Sequence, residues 1–193
     1  MARVITFSRT YPSYHPKKGQ PTYFIEKILS SFRATVCFTP NTPTHFYPNP
    51  DDLYELNKDK PYLIISEFIK QIGNYSDKYE PKHHTIRSGH RFKAGDKFSP
   101  RVWSGKPYNS KQIIIAPDVE VVKTWYFQIQ NDRFFIESEK DQSCREITDI
   151  SLIAKNDGLE IIDFKNWFFL SPKFKKNKSF DGQIICWNNK IEY

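Results

Sequence analysis

From Pro81 onward the chain is cut into short runs of strand-forming residues, none longer than ten, separated by turn residues. The runs lie at 84–87, 97–103, 111–116, 120–129, 133–137 and 180–187, with Gly95-Asp96 and Asn131-Asp132 as turn signals, the second of them a hairpin. Strands this short and this numerous demand a small sheet that curls on itself. The apolar residues agree, because 31 aromatics and 21 isoleucines stand against only five alanines. Such side chains pack on pleated surfaces and argue against a helical bundle. Apolar periodicity near 3.6 predicts helices over 22–32, started by Pro21, over 61–72, stopped by Gly73, over 149–155, closed by Asn156-Asp157-Gly158, and over 159–169. The expected class is α+β: one barrel-like sheet of mixed strands flanked by short helices.

A length of 193 residues favours one domain over 1–193. Residues 33–60, which hold Pro40, Pro43, Pro48 and Pro50, read as an insertion or extended loop. No apolar run approaches the roughly 20 residues of a membrane-spanning helix, and the first residues read as a strand rather than a leader, so a cytoplasmic protein with no membrane partner is expected. Cys37, Cys144 and Cys186 are odd in number and far apart, which predicts buried thiols rather than disulfides or zinc ligands.

The net charge of +7 is concentrated. Residues 82–111 hold Lys82, Arg87, Arg91, Lys93, Lys97, Arg101, Lys106 and Lys111 against Asp96 alone, so the other 163 residues sum to zero. A polyanion is the natural partner of such a ribbon, since neutralising phosphates releases counterions. Phe92, Phe98, Trp103 and Tyr108 are interleaved with the cations, and aromatic faces stack on bases. Trp125, Trp167 and Trp187 read as core, whereas Trp103, beside the polar loop 104–111, reads as a ligand-facing ring. Tyr11, Tyr14 and His15 form a second candidate wall in the loop 12–21. A metal site built from His83, His84 and His90, with Cys144 or an acid, lacks zinc-ligand spacing, so neither metal nor cofactor is expected.

The stretch Lys82-His83-His84-Thr85-Ile86-Arg87, followed by Phe92-Lys93-Ala94-Gly95-Asp96-Lys97-Phe98, resembles the ASCH family of the PUA-like superfamily. Members carry a Lys-x-x-Thr-x-Arg strand and, shortly after, an apolar residue before a Gly-Asp turn. Ala154-x-x-Asp157-Gly158-Leu159, with Phe164 and Trp167 behind it, looks like the family's short acidic helix segment, and Gly182-Gln183-Ile184-Ile185-Cys186-Trp187 like its closing strand. The resemblance implies a small barrel whose cleft faces RNA or a nucleotide. Some members are amidohydrolases that deacylate N4-acetylcytidine. On that pattern Lys82 would be the base, Thr85 the nucleophile, and Asp157 would stand where a Glu, one methylene longer, is expected. Arg87 would bind the substrate or stabilise an oxyanion.

Two functions therefore compete for one pocket. The leading one is a reader of RNA or a modified nucleotide, with Lys82, Arg87, Arg91, Lys93, Arg101 and Lys106 on phosphates and Trp103 or Tyr108 on a base. The other is the amidohydrolase of Lys82, Thr85 and Asp157. Strand alternation sends residues three apart to opposite faces, so the triad needs Lys82 to lie in an entry turn before the strand. An interaction protein with no ligand would leave the charge segregation unexplained.

Overall fold

The computed structural model of the chain describes residues 2–32, 45–46, 63–64, 78–138 and 143–193. In chain order its elements are β1 (Arg3–Phe7), α1 (Phe24–Ser31), β2 (His45–Phe46), β3 (Leu63–Ile64), β4 (His84–Ser88), β5 (Lys97–Trp103), β6 (Gln112–Ile114) and β7 (Val119–Glu120). There follow β8 (Lys123–Gln130), β9 (Arg133–Ser138), β10 (Cys144–Ile147), α2 (Ser151–Asn156), α3 (Ile161–Phe169), α4 (Pro172–Asn177) and β11 (Ser179–Cys186). The class is α+β, as expected. Among the described residues no helix is long and apolar enough to cross a membrane.

The chain divides into two compact units, the first formed by Met1–Thr10, Pro21–Pro81 and Lys97–Glu120. Its sheet is centred on β5, which pairs in parallel with β1 (Arg3↔Phe98 to Phe7↔Val102) and antiparallel with β6 and β7. Helix α1 buries Phe24, Ile25, Ile28 and Leu29, the stripe that periodicity marks. It begins later than expected. Pro21 bridges Thr10, and the Thr22 N–H donates to Arg9 O at 3.0 Å, so extended pairing claims the residues before Phe24. Most of the insertion at 33–60 and of the helix expected over 61–72 lies outside the described residues. Within that stretch β2 and β3 pair antiparallel, so residues 63–64 form a strand where a helix was expected.

The second unit comprises Tyr11–Gln20, Lys82–Asp96 and Val121–Tyr193. Its five strands run in the order β10-β9-β8-β11-β4, every neighbour antiparallel. β8 and β9 meet at Asn131-Asp132, both with positive φ (47° and 64°), and Gln130↔Arg133 closes the loop. That is the two-residue turn whose twist matches a hairpin, formed by two residue types that, after glycine, enter the left-handed region most readily. β11 passes β4 so closely that a Cβ on Gly182 would lie 2.1 Å from Arg87 O, which leaves glycine as the one residue that fits.

Alternation divides this sheet into two faces. One carries Ile86, Ile184, Phe127, Ile129, Phe134 and Ile136, all buried. Helix α3 covers it, with Phe164 against Phe127 and Phe134 (6.4 and 6.3 Å between centroids) and Phe168 against Phe127 (6.1 Å). The other face carries Thr85, Arg87, Gln183, Thr124, Tyr126 and Gln128.

Four expectations need correction. The strand over 120–129 is two pieces, β7 and β8, because Val121 and Val122 leave the ladder to bond Asp96 O and Cys186 O. β10 and α4 are additions to the expected elements. β10 is mostly exposed and has no apolar pattern of its own, while α4 reads in sequence only as a lysine run although Ser171 caps it and Pro172 opens it. Ile162, one of the apolar residues whose recurrence predicts the helix over 159–169, points outward from α3 and is 64% exposed. Of the cysteines, Cys186 is buried, Cys144 is exposed because it lies on the outermost strand, and Cys37 lies outside the described residues.

Candidate functional site

Lys82 precedes β4, so strand alternation does not dictate its direction. It is 1% exposed. Its ammonium donates to Asp157 Oδ1 at 2.5 Å and to the main-chain carbonyl of the same residue. Asp157 is the residue that closes α2, and Gly158 follows it with φ 76°. A carboxylate at this end of a helix faces the negative pole of the backbone dipoles, and the lysine neutralises both it and a carbonyl at the helix end, where the regular ladder supplies no amide. One residue on, the His83 N–H donates to Asn156 O at 2.8 Å, which ties the entry of β4 to the end of α2. Lys82 and Asp157, two of the residues that the resemblance implies for catalysis, thus meet, whereas the reading of Lys82 as a phosphate-facing cation does not fit a side chain that is buried and paired.

His84, the first residue of β4, extends the network. The Asn156 amide donates to Tyr193 OH at 2.9 Å, and that hydroxyl lies 2.6 Å from His84 Nδ1. Of the two tautomers, the one with its proton on Nε2 turns an N–H toward Asp157 Oδ1, whereas the other would set a lone pair against that oxygen, so Nδ1 is the acceptor and the hydroxyl donates to it. Complete burial, with Lys82 and His83 nearby, holds the His84 pKa well below the usual histidine range, so the ring is neutral. Its Nε2 is buried without a hydrogen-bond partner, 3.9 Å from Asp157 Oδ1. The Tyr193 ring meets Trp125 edge-on at 4.9 Å and His84 at 5.5 Å, and burial pushes its hydroxyl pKa up. Cys186, the register partner of His84, has its thiol pushed up to about 11 by burial, so it remains protonated at neutral pH.

Thr85 follows His84 and therefore leaves the opposite face of β4. It is buried opposite Ile185 on β11. On the same face Tyr126, Gln183 and Arg87 form a row across β8, β11 and β4. Gln183 is buried, and its amide grips one loop: Oε1 accepts from Arg91 N (2.6 Å) and Phe92 N (2.9 Å), and Nε2 donates to Phe92 O (2.9 Å). That side chain stands in for a strand partner and fixes the loop that presents the exposed Arg91 and Lys93. Arg87 is half-buried. Tyr126 is 36% exposed, and its ring lies 4.6 Å from that of His90, which pairs with Asp181 at 2.9 Å.

The remaining candidates belong to the first unit, so the cationic ribbon is divided between the units at Asp96. Arg101 is half-buried and donates to Ser99 Oγ and Gln112 Oε1. Trp103 is half-buried against Tyr108 (5.4 Å), which is 88% exposed on the loop joining β5 and β6, beside exposed Lys106. Phe92 and Phe98, expected as stacking surfaces, are instead buried core. Alternation explains Phe98, whose neighbour Lys97 faces solvent, and the Gln183 clamp explains Phe92. Trp125 and Trp187 are core as expected, but Trp167 is half-buried at the edge of α3.

The wall expected from Tyr11, Tyr14 and His15 is a closed anchor. Buried Asp163 on α3 receives Lys17 Nζ at 2.6 Å and Tyr11 OH at 3.3 Å. His15, also buried, takes the Lys17 N–H on Nδ1 and so donates from Nε2 to Asp163 O. Burial and the Asp163 charge push the Tyr11 pKa up. Sequence reasoning misses Asp163, Gln183, Tyr126 and Tyr193, each of which meets partners far along the chain. Among the described residues no three His, Cys, Asp or Glu side chains gather where they would hold a metal ion. No protein-family model, curated protein or solved structure matches the chain.

Proposed function

We propose that the protein is a cytoplasmic binder of RNA or a nucleotide, built on a PUA-like barrel of the ASCH kind, and that the second unit does the binding through the face of Thr85 and Arg87. One observation carries this reading. The row Tyr126–Gln183–Arg87 brings an accessible aromatic ring and a half-buried arginine onto one face, and the amide of Gln183 grips residues 91 and 92 of the loop that bears the exposed Arg91 and Lys93. Guanidinium and ammonium groups on a fixed loop suit phosphates, and a ring on the adjoining strand suits a base. Trp103, Tyr108, Arg101 and Lys106 offer a second surface of the same kind in the first unit.

The test is binding of a short single-stranded RNA at 50 and 200 mM salt. Three phosphate contacts at a slope of about 0.7 each predict an affinity loss of roughly 20-fold over that range. Replacing Arg91 and Lys93 together by alanine should lower the slope by about 1.4. Absence of binding at 50 mM salt overturns the reading.

A second reading, deacylation of an N4-acylcytidine, is favoured by the Lys82–Asp157 contact, since the shorter acid does reach the lysine. Two observations count against it: Lys82 donates protons to two oxygens where a general base must accept one, and Thr85 leaves the strand on the face opposite His84. Turnover of N4-acetylcytidine that disappears in Thr85→Ala would favour it over binding alone. Turnover unchanged in that variant would remove Thr85 as nucleophile.

A further inference from the structure

The Tyr193 ring sits in surroundings that would serve a ligand. It is a flat six-membered ring, met edge-on by Trp125 and His84, and its polar tip is read from two sides: Asn156 donates to it and His84 Nδ1 accepts from it. The other ring nitrogen of His84, Nε2, is buried without a hydrogen-bond partner, 3.9 Å from Asp157 Oδ1. The segment bearing Tyr193 has neither helix nor strand after Cys186. Lys123 ties its far part through the carbonyls of Asn189 and Ile191 and the carboxylate of Glu192, and Asn188 ties its start to His83 Nδ1 at 3.0 Å.

We propose that the place filled by Tyr193 is a slot for a planar six-membered ring with an acceptor and a donor side by side on its edge, the class to which pyrimidine bases belong, and that residues 188–193 are a strap that occupies it in the absence of ligand. Cytosine and uracil both present an acceptor next to an N–H on one edge, so Asn156 would donate to the first and His84 Nδ1 would accept from the second, as they do with the one hydroxyl of tyrosine. A purine is larger than the ring now seated there. Choosing a base as the ring rests on the nucleotide reading; the slot itself does not. Because strap and base exclude each other, the apparent affinity of the intact chain is its intrinsic affinity scaled by the fraction of chains with the strap out.

The experiment compares cytidine binding, by calorimetry, to the parent chain and to Tyr193→Gly. Cytidine should bind the variant at least tenfold more tightly than the parent, and Asn156→Ala added to the variant should abolish the gain. Equal affinity for parent and variant overturns the proposal. So does a variant whose melting temperature p-cresol raises while cytidine leaves it unchanged, since the cavity would then exist without taking a base. If Tyr193→Gly shows no cooperative unfolding, Lys123→Ala, which frees the strap and keeps every slot residue, takes its place: a tenfold gain for cytidine supports the slot, and equal affinity overturns it. RNA binding at 50 mM salt, measured on the same samples, separates the two ideas: RNA bound with no gain for cytidine removes the slot alone, whereas a gain for cytidine with no RNA bound removes the RNA reading alone.

Discussion

The two faces of the second unit's sheet differ by one residue of register and by almost everything else. His84 looks toward Trp125, Tyr193 and the Lys82–Asp157 pair, on the face where α3 closes over Phe127 and Phe134. Thr85, its neighbour, looks the other way, toward the row of Gln183 and Arg87 and the loop of exposed cations. The first face is stable because its charges are matched in pairs under an apolar cover; the second keeps Arg91 and Lys93 at the surface, where an anion can reach them. A lysine in the first region and an arginine in the second thus do different work although both flank a single short strand. Sign of charge alone is a poor guide to a binding site.

The most drastic way to break the comparison is to destroy the strand that both faces share. Gly182→Val puts a branched side chain where even a Cβ would be 2.1 Å from Arg87 O, and we expect no folded protein, seen as loss of cooperative thermal unfolding. A milder variant acts on the first face alone. Asp157→Ala strands the Lys82 ammonium in the interior, at a cost of about 3–5 kcal/mol by chemical denaturation, and Asp157→Asn, which keeps an acceptor, should cost less.

Smaller again is the effect of pH. The His84 pKa is depressed in the folded chain, so below the ordinary value of 6.5 the unfolded chain takes up a proton that the folded one does not. This contribution to stability is fully present above that pH and is lost as pH falls below it, by up to about 1.4 kcal/mol per unit. His84→Asn should flatten the stability profile just below pH 6.5 by up to one proton relative to the parent; an unchanged slope would show that His84 does not titrate as its burial requires. On the second face, Arg91→Ala with Lys93→Ala should move stability by no more than about 0.5 kcal/mol, since both side chains are exposed. A large loss there would mean that the cations support the fold instead of waiting for a ligand.

What the residues reveal on their own is local. The hairpin at Asn131-Asp132 is legible because two residues that tolerate positive φ sit between alternating runs, and the end of α2 because Asn-Asp-Gly cannot continue a helix comfortably. The Lys82–Asp157 contact is legible only through the order of motifs, for nothing in the 74 intervening residues announces it. The clamp of Gln183 on residues 91–92 and the seat of Tyr193 beside Asn156 are illegible for the same physical reason: a glutamine in a strand or a tyrosine in a tail has no local signature of a distant partner. Sequence alone misleads at Phe92 and Phe98, where aromatics among cations suggest stacking while alternation and the loop clamp turn them inward. It is silent at β10, which pairs with β9 through the backbone and has no apolar pattern of its own.

The amide of Gln183 has one more implication. A loop gripped by a ladder can be shifted only by rebuilding the ladder, whereas here residues 91 and 92 are gripped by a side chain, with the flanks tied by the Gly89 N–H to Asp181 O and the Gly95 N–H to Val121 O. Shortening residue 183 to asparagine, or lengthening the loop between positions 93 and 95, would therefore re-aim the cations while the β4–β11–β8 backbone kept its register, so the placing of charge on this face can be varied apart from the sheet beneath it.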